Sequence, residues 1–459
     1  MALDIVIMAA GKGTRMKSVR PKVLHTLGGR SLLQHVLQTA AGLHADGIVV
    51  VTGHGADAVE MSASAPNLHF VRQVPQLGTG DAVRQAVPAL HAEGTTLILN
   101  GDVPLIEAST MRALIDACAG ARLALLTVDL DDPFGYGRIL RDGDNVKAIV
   151  EEKDASPEQR ALHEVYTGMM AVPTPHLKRW LAALRNDNMQ KEYYLTGIVA
   201  MAVADHVPVL AIKAHNETEV LGVNSPLELA RLERRYQRLR AEELMEGGVR
   251  LADPARFDVR GELVCGSDVE IDVNCVFEGR VELGDGLRIG ANCIIRNAVI
   301  GAGTELLAFT HINGEKLGVT IGANAQIGPF SRLRPGAALG DEVHIGNFVE
   351  VKNSTLAKGA KANHLAYLGD ATVGERVNYG AGSITANYDG ANKHRTVIEA
   401  DVHVGSNCVL VAPVTLGAGA TIGGGSTIAK DAPAGQLTVA RARQMSLAGW
   451  VRPVKKKLD

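Results

Sequence analysis

From Ile321 onward the chain carries an aliphatic side chain at every sixth position. Ile321, Ile327, Leu333, Leu339, Ile345 and Val351 hold this phase, and Val404, Leu410, Leu416, Ile422 and Ile428 resume it, usually with a glycine one place on. A helix repeats every 3.6 residues and a strand every two, so neither produces a period of six. Short strands joined by tight turns do, with one inward aliphatic on each flat side of a coil. Weaker hexads start at Leu263, Val269 and Cys275 and again at Leu283, Ile289 and Ile295, so the pattern predicts a parallel β-solenoid over 250–440. The repeat is broken at 303–320 and at 386–396. Such excursions usually leave a solenoid on one face and often carry function.

The first half follows another pattern. "DIVIMAA", "GIVVVTG", "TLILNGD" and "LALLTVDL" read as buried strands, and "RSLLQHVLQTAAGL", "GDAVRQAVPAL" and "ASTMRALIDACAG" as helices. This alternation predicts an α/β domain whose mostly parallel sheet carries helices on both faces. Sheets of that kind bind ligands beyond the carboxyl ends of their strands. Ser225 before Pro226 is a helix-start signal, and Leu229, Leu232, Tyr236 and Leu239 form one apolar stripe among arginines and glutamates. One helix over 225–246 is expected between two domains. The boundaries read as an N-terminal domain 1–225, a linker helix 226–248 and a C-terminal domain 249–459 with a basic tail.

Composition narrows the class. The 459 residues include 50 glycines, which suits a tightly turned solenoid, and the net charge of −3 argues against general nucleic-acid binding. Five cysteines (118, 265, 275, 293 and 408) are never spaced as metal ligands and read as reduced, mostly buried thiols of a cytoplasmic protein. Asp4 interrupts the first apolar run, which is too short to span a membrane, so neither a signal peptide nor a membrane segment is expected.

Candidate chemistry in the first half lies in its strand-to-helix loops. In "MAAGKGTRM", Gly11 and Gly13 let backbone amides approach a phosphate chain, and Lys12 and Arg15 add positive charge. Neither the P-loop nor the dinucleotide fingerprint is matched. Lys22 follows Pro21 on a stiffened loop suited to a second phosphate. Gly78 and Thr79 sit at a further strand-to-helix junction. Asp102 ends a buried strand, where its carboxylate can hold Mg²⁺.

In the solenoid the slot after each hexad aliphatic is generally small, yet Arg334, Lys352 and His364 fall in it by six-residue counting. Arg334 and Lys352 are 18 residues apart. On a three-sided coil they share a face in adjacent turns, about 4.8 Å apart. Two stacked cations repel unless an anion lies beside them, so a phosphate-bearing substrate is expected there. A histidine two hexads further on suits a general base working near neutrality.

"AAGKGTRM", "PKVLHTLGG", "QLGTG", "GYGRI", "YGAGSITANYDGANKHRT" and "GWVRPVKKK" stand in this order along the chain. On these motifs the whole chain resembles the bacterial bifunctional family of N-acetylglucosamine-1-phosphate uridyltransferase/glucosamine-1-phosphate acetyltransferases. The resemblance implies a Rossmann-like nucleotidyltransferase domain, a connecting helix and a left-handed parallel β-helix of hexapeptide repeats, assembled as a cytoplasmic homotrimer. It implies that Ala9, Ala10 and Gly11 contact the nucleotide, with Gln73, Gly78 and Thr79 around uracil. Arg15 and Lys22 would neutralise the phosphates of UTP, Asp102 and Asn224 would hold Mg²⁺, and Gly137 and Glu151 would meet N-acetylglucosamine 1-phosphate. In the second half, Arg334 and Lys352 would bind the phosphate of glucosamine 1-phosphate, Tyr367 and Asn378 would line the substrate cleft, and His364 would be the general base. Ala381, Asn387, Tyr388, Ser406, Gly424 and Arg441 would contact acetyl-CoA, with Lys455, Lys456 and Lys457 near its phosphates. The sequence departs from the family at Tyr166, where an asparagine is usual, and at Gly197, where an aspartate is usual. The expected activity is acetyl transfer followed by uridylyl transfer, giving UDP-N-acetylglucosamine. The competing reading is a single-activity pyrophosphorylase with a structural β-helix.

Overall fold

The computed structural model describes residues 2–65 and 67–455, and the chain divides into two compact units, Met1–Leu239 and Arg240–Asp459.

The first unit is built on β1 (Leu3–Ala9), α1 (Leu32–Ala41), β2 (Gly47–Thr52), β3 (Leu68–Arg72), α2 (Thr79–Ala86), β4 (Thr95–Asn100), α3 (Ala108–Cys118), β5 (Leu123–Asp129), β6 (Gly137–Asp142), β7 (Asn145–Val150), β8 (Glu164–Pro173), α4 (Thr174–Ala183), α5 (Gly197–Ala204) and β9 (Val209–Lys213). The sheet order is β9-β5-β8-β4-β1-β2-β3, with the β6–β7 hairpin joined to β8. Neighbours pair in parallel except around β8, which runs antiparallel to β4 and β5. Along β1, Ile5 and Ile7 face a core that includes α1 and α3, while Val6 faces another that includes α2, α4 and α5. The strand period of two thus puts helices on both faces, as the alternation predicted. The hairpin and β8 are the part that alternation did not predict. α1 starts where Ser31 accepts from the Gln34 amide and Gln34 reaches back, a reciprocal cap.

A helix, α6 (Pro226–Glu246), follows. Ser225 caps it by accepting from the Glu228 amide at 3.2 Å. Leu232 packs into the first unit with Leu27 and Leu32, and Ala241 into the core of the second.

The second unit is a three-sided parallel solenoid. One face stacks Gln326–Ile327, His344–Asn347, Lys361–His364, Asn378–Tyr379, His403–Val404 and Thr421–Ile422. The next stacks Arg332–Leu333, Glu350–Lys352, Tyr367–Gly369, Ile384–Ala386 and Val409–Val411, and the third Ala338–Leu339, Thr355–Leu356, Ala371–Val373, Thr396–Ile398 and Val414–Leu416. The hexad aliphatics form one continuous buried column through all coils. Each coil buries three such side chains and hydrogen-bonds to the coils on either side, so stability accumulates from neighbour to neighbour.

The count of six does not hold throughout. The buried series runs Val351, Leu356, Ala362, Leu368, Val373, Tyr379, with a step of five at two corners. Arg334 and Lys352 remain in adjacent coils of one face, because Leu333 pairs with Val351. His364 does not share their slot. It stands two places after Ala362, at the corner, paired with Asn347 of the coil below.

Candidate active sites

The first site lies at the carboxyl edge of the parallel strands. β1 ends at Ala9 and the chain turns through Gly13, whose φ of 60° and position 2.8 Å (for an added Cβ) from Lys22 Cβ favour glycine there. β4 ends at Asn100 and delivers Asp102, and Asn224 arrives just ahead of α6. The Lys22 ammonium forms an ion pair with Asp102 and donates to Asn224 Oδ1 at 3.2 Å. The Val223 amide donates to the Asp102 carbonyl at 3.0 Å and the Asn224 backbone amide to the Glu228 carboxylate at 2.7 Å, which holds the backbone of both residues. Two oxygen donors from distant segments therefore converge on one cation. Among the described residues no cluster of three or more His, Cys, Asp or Glu could hold a metal. Magnesium needs none, since it binds through one or two protein oxygens together with substrate phosphates. The Asp102 and Asn224 pair fits that ion.

Beside this cluster, Gln76 donates to the Ala10 carbonyl at 2.7 Å, and Gly11 has open space around it. Buried Gln73 spends its amide hydrogens on the Gly78 carbonyl (2.9 Å) and on Asp81 (2.8 Å), leaving its side-chain oxygen for a ligand. A Cβ on Gly78 would lie 2.7 Å from the Tyr193 carbonyl. Thr79 accepts from the Leu195 amide at 3.0 Å. Arg15 is exposed on the turn Thr14–Met16, apart from the Lys22 cluster.

Gly137 opens β6 and Glu151 follows β7. Glu151 accepts from the Thr196 hydroxyl at 2.9 Å, and burial pushes its carboxyl above the usual carboxylate range. Tyr166 is buried in register with Gly137, its hydroxyl raised by burial and without a hydrogen-bond partner among the described residues. Gly197 is the first residue of α5, where a Cβ would crowd Leu184 at 3.0 Å.

The second unit gathers charge on one face. Arg334, Lys352 and Lys393 line a cavity of about 350 Å³ with Asp370, Asn353 and Glu315. Arg334 donates to Glu350 at 2.7 Å. The Lys393 ammonium, followed by burial and Arg334, holds Lys352 below the ordinary lysine range. Asp370, 7 % exposed, accepts from Asn353 and from Asn387, tying the 386–396 excursion to the cavity wall. Tyr367 lies over Gly369, where a Cβ would sit 2.3 Å from its hydroxyl oxygen. Tyr388 makes an isolated bridge to Lys393.

The adjoining corner holds the histidine. His364 Nδ1 lies 2.8 Å from Asn347 Oδ1, so Nδ1–H donates and Nε2 keeps its lone pair. Corner amides link the coils: Leu365 to Asn347, Gly382 to His364, Asn407 to Ala381 and Gly425 to Ser406. Asn347, His364, Ala381, Ser406 and Gly424 are thus equivalent positions in successive coils. A narrow column of small residues rises from the histidine, and Arg441 donates to the Gly424 carbonyl at its top. Asn378 is the exception: it lies on the first face with Lys361 and His403, away from Arg334 and Lys352. Lys455 is exposed, and Lys456 and Lys457 lie outside the described residues.

Lys393, Asp370 and Asn347 were not singled out in the sequence. Lys393 lies in a flagged excursion, off the hexad count. Asn347 follows Gly346 in the stretch that six-residue counting treats as turn.

The two units have the architecture of a nucleotidyltransferase domain followed by a hexapeptide-repeat transferase. The model of the MobA-like NTP transferase domain matches residues 5–142, and that of the bacterial transferase hexapeptide (six repeats) matches 318–353 and 395–430. The chain is 75% identical to the bifunctional protein GlmU of Methylibium petroleiphilum over 99% of this chain and 100% of that one. It is 69% identical to that of Polaromonas naphthalenivorans, with 99% and 98% covered, and 66% to that of Albidiferax ferrireducens, with 99% and 100% covered. The chain belongs to the bifunctional GlmU family. It is a uridyltransferase and acetyltransferase of UDP-N-acetylglucosamine synthesis. No helix among the described residues is long and apolar enough to cross a membrane.

Proposed function

We propose that the two activities divide between the two sites, uridylyl transfer at the sheet edge over 1–225 and acetyl transfer on the β-helix over 249–459. The observation that carries this is the corner column: a histidine with a free Nε2, small residues leading away from it, and three cations on the adjoining face. A glucosamine 1-phosphate seated with its phosphate on Arg334, Lys352 and Lys393 relieves their repulsion. Nε2 of His364 takes a proton from the sugar amine as nitrogen attacks the thioester carbonyl, and the thiol of coenzyme A leaves. Acetyl-CoA lies along Ala381, Ser406 and Gly424 with Arg441 at its far end, and Asn387 and Tyr388 close the cleft.

In the other site a phosphate oxygen of N-acetylglucosamine 1-phosphate attacks the α-phosphorus of UTP and pyrophosphate leaves. The protein has little covalent chemistry to supply, so positioning and charge neutralisation dominate. Gln73, Gly78 and Thr79 hold uracil beside Ala9, Ala10 and Gly11, Lys22 and Arg15 meet the phosphates, and Gly137 and Glu151 receive the acetamido sugar. Bound to Asp102 and Asn224, Mg²⁺ would neutralise phosphate charge. Because the sugar pocket takes the acetamido product, acetylation comes first.

The test is a split assay on one preparation. Glucosamine 1-phosphate with acetyl-CoA should release thiol, and N-acetylglucosamine 1-phosphate with UTP and Mg²⁺ should release pyrophosphate. Pyrophosphate without thiol would leave the β-helix structural. Lys393→Ala should raise KM for glucosamine 1-phosphate about tenfold, as expected for losing one charge-assisted hydrogen bond, and leave pyrophosphate release alone. An unchanged KM would remove Lys393 from the phosphate site.

A homotrimer accounts for two further features. Asn378 completes the cleft only if it is supplied by another copy. Phe309, Phe330 and Phe348 also stack at 4.9 and 5.5 Å on the corner below His364, continued by Leu365, and all four are exposed in the single chain. Monomers rarely leave such a ladder open. A Phe330→Asp, Phe348→Asp double variant should sediment as a monomer, lose acetyl transfer and keep uridylyl transfer. A trimer that persists with full acetyl transfer would place the subunit contact elsewhere.

A further inference from the structure

Arg138 is a charged side chain that neither reaction uses, yet it is only 2 % exposed. A guanidinium cannot be neutralised inside a protein, so its burial needs a reason and a full set of partners. Its partners here are specific. Nη2 lies 2.8 Å from a Glu152 carboxylate oxygen, a charge contact without hydrogen-bond geometry, and Nη1 donates to the Tyr136 carbonyl. Nε and Nη2 donate to the Arg160 carbonyl at 3.4 and 3.3 Å. Arg160, the last residue of the short helix Pro157–Arg160, turns back to donate to the Glu152 carbonyl at 3.2 Å.

The placement of those partners matters. The Tyr136 carbonyl carbon is bonded to the Gly137 nitrogen, and Glu152 is the residue next to Glu151. Arg138 therefore holds a neighbour of each sugar-assigned residue where the two strands of the β6–β7 hairpin meet at its open end. Among the described residues the Glu151 side chain has one hydrogen-bond partner, Thr196. We propose that Arg138 is a positioning residue for the sugar: one buried fork fixes the distance between the Gly137 backbone and the Glu151 carboxylate, and with it the fit of the sugar phosphate. This rests on the reading that Gly137 and Glu151 meet the sugar.

The experiment uses the full-length enzyme with Arg138→Lys, Arg138→Met, Glu152→Gln and, separately, Glu151→Gln. KM for N-acetylglucosamine 1-phosphate and KM for UTP are read by pyrophosphate release. The expected result is a sugar-phosphate KM raised about tenfold in Arg138→Met and Glu152→Gln with the UTP KM within about twofold, a split that marks lost ground-state binding of one substrate. Arg138→Lys should fall between, since it keeps the charge facing Glu152 but loses the planar fork. Unchanged sugar KM in all three variants overturns the proposal. So does a parallel loss of UTP and sugar binding in every one, which would make Arg138 a folding residue alone. If Glu151→Gln raises the sugar KM and the Arg138 and Glu152 variants do not, only this inference fails. If Glu151→Gln also has no effect, the assignment of the sugar site fails with it.

Discussion

A His364→Ala enzyme is expected to lose acetyl transfer by about 10²–10⁴-fold, the usual contribution of a positioned general base, while its pyrophosphate release stays at the parental rate. The corner geometry sets this expectation. Asn347 accepts from Nδ1 and thereby selects the tautomer whose Nε2 carries a lone pair. No other histidine stands in the Asn347–Ala381–Ser406–Gly424 column, so no neighbour can take over the proton. Thiol release from glucosamine 1-phosphate and acetyl-CoA is the readout. Retention of more than a tenth of the rate would mean that another group accepts the proton and that His364 only packs the corner.

Asp102→Ala is expected to have the opposite effect: uridylyl transfer falls by roughly 10³-fold, as when a fixed electrostatic partner of a phosphoryl transition state is removed, and acetyl transfer is unchanged. Two losses coincide there. The proposed metal site keeps only the Asn224 oxygen, and Lys22 is left without its counter-charge in a largely buried position. Asp102→Asn separates them, because it retains the shape and one oxygen but not the charge. Its pyrophosphate release should lie nearer that of Asp102→Ala than that of the parent, and Mn²⁺ binding followed by paramagnetic resonance should weaken in both. Parental pyrophosphate release in Asp102→Ala, or loss of thiol release along with it, would refute the division of labour between the two units.

Much of this molecule could be read without coordinates, and physical reasons separate what could from what could not. Periodicity is a local property. The step of six revealed the solenoid, alternating apolar runs revealed a parallel sheet flanked by helices, and Ser225–Pro226 marked the start of α6. Two stacked cations followed from counting 18 residues, because Leu333 pairs with Val351. Counting failed at His364, since a coil can drop one residue at a corner without exposing its inward aliphatic. That slip shifts every later slot. The β6–β7 hairpin and β8 escaped prediction because their register is set by antiparallel pairing across the sheet and not by a repeat.

What the sequence alone determined is the class of each unit and the resemblance that names the chemistry, both of which depend on short-range pattern. Only the tertiary structure decided which residues act together. Lys22, Asp102 and Asn224 meet because three loops end at one sheet edge. Lys393 joins Arg334 and Lys352 because an excursion folds back on Asp370. Arg138 gathers Tyr136, Glu152 and Arg160 around the β6–β7 hairpin because a buried charge must find every partner within reach. Convergence of this kind comes from packing distant segments, and no spacing along the chain encodes it.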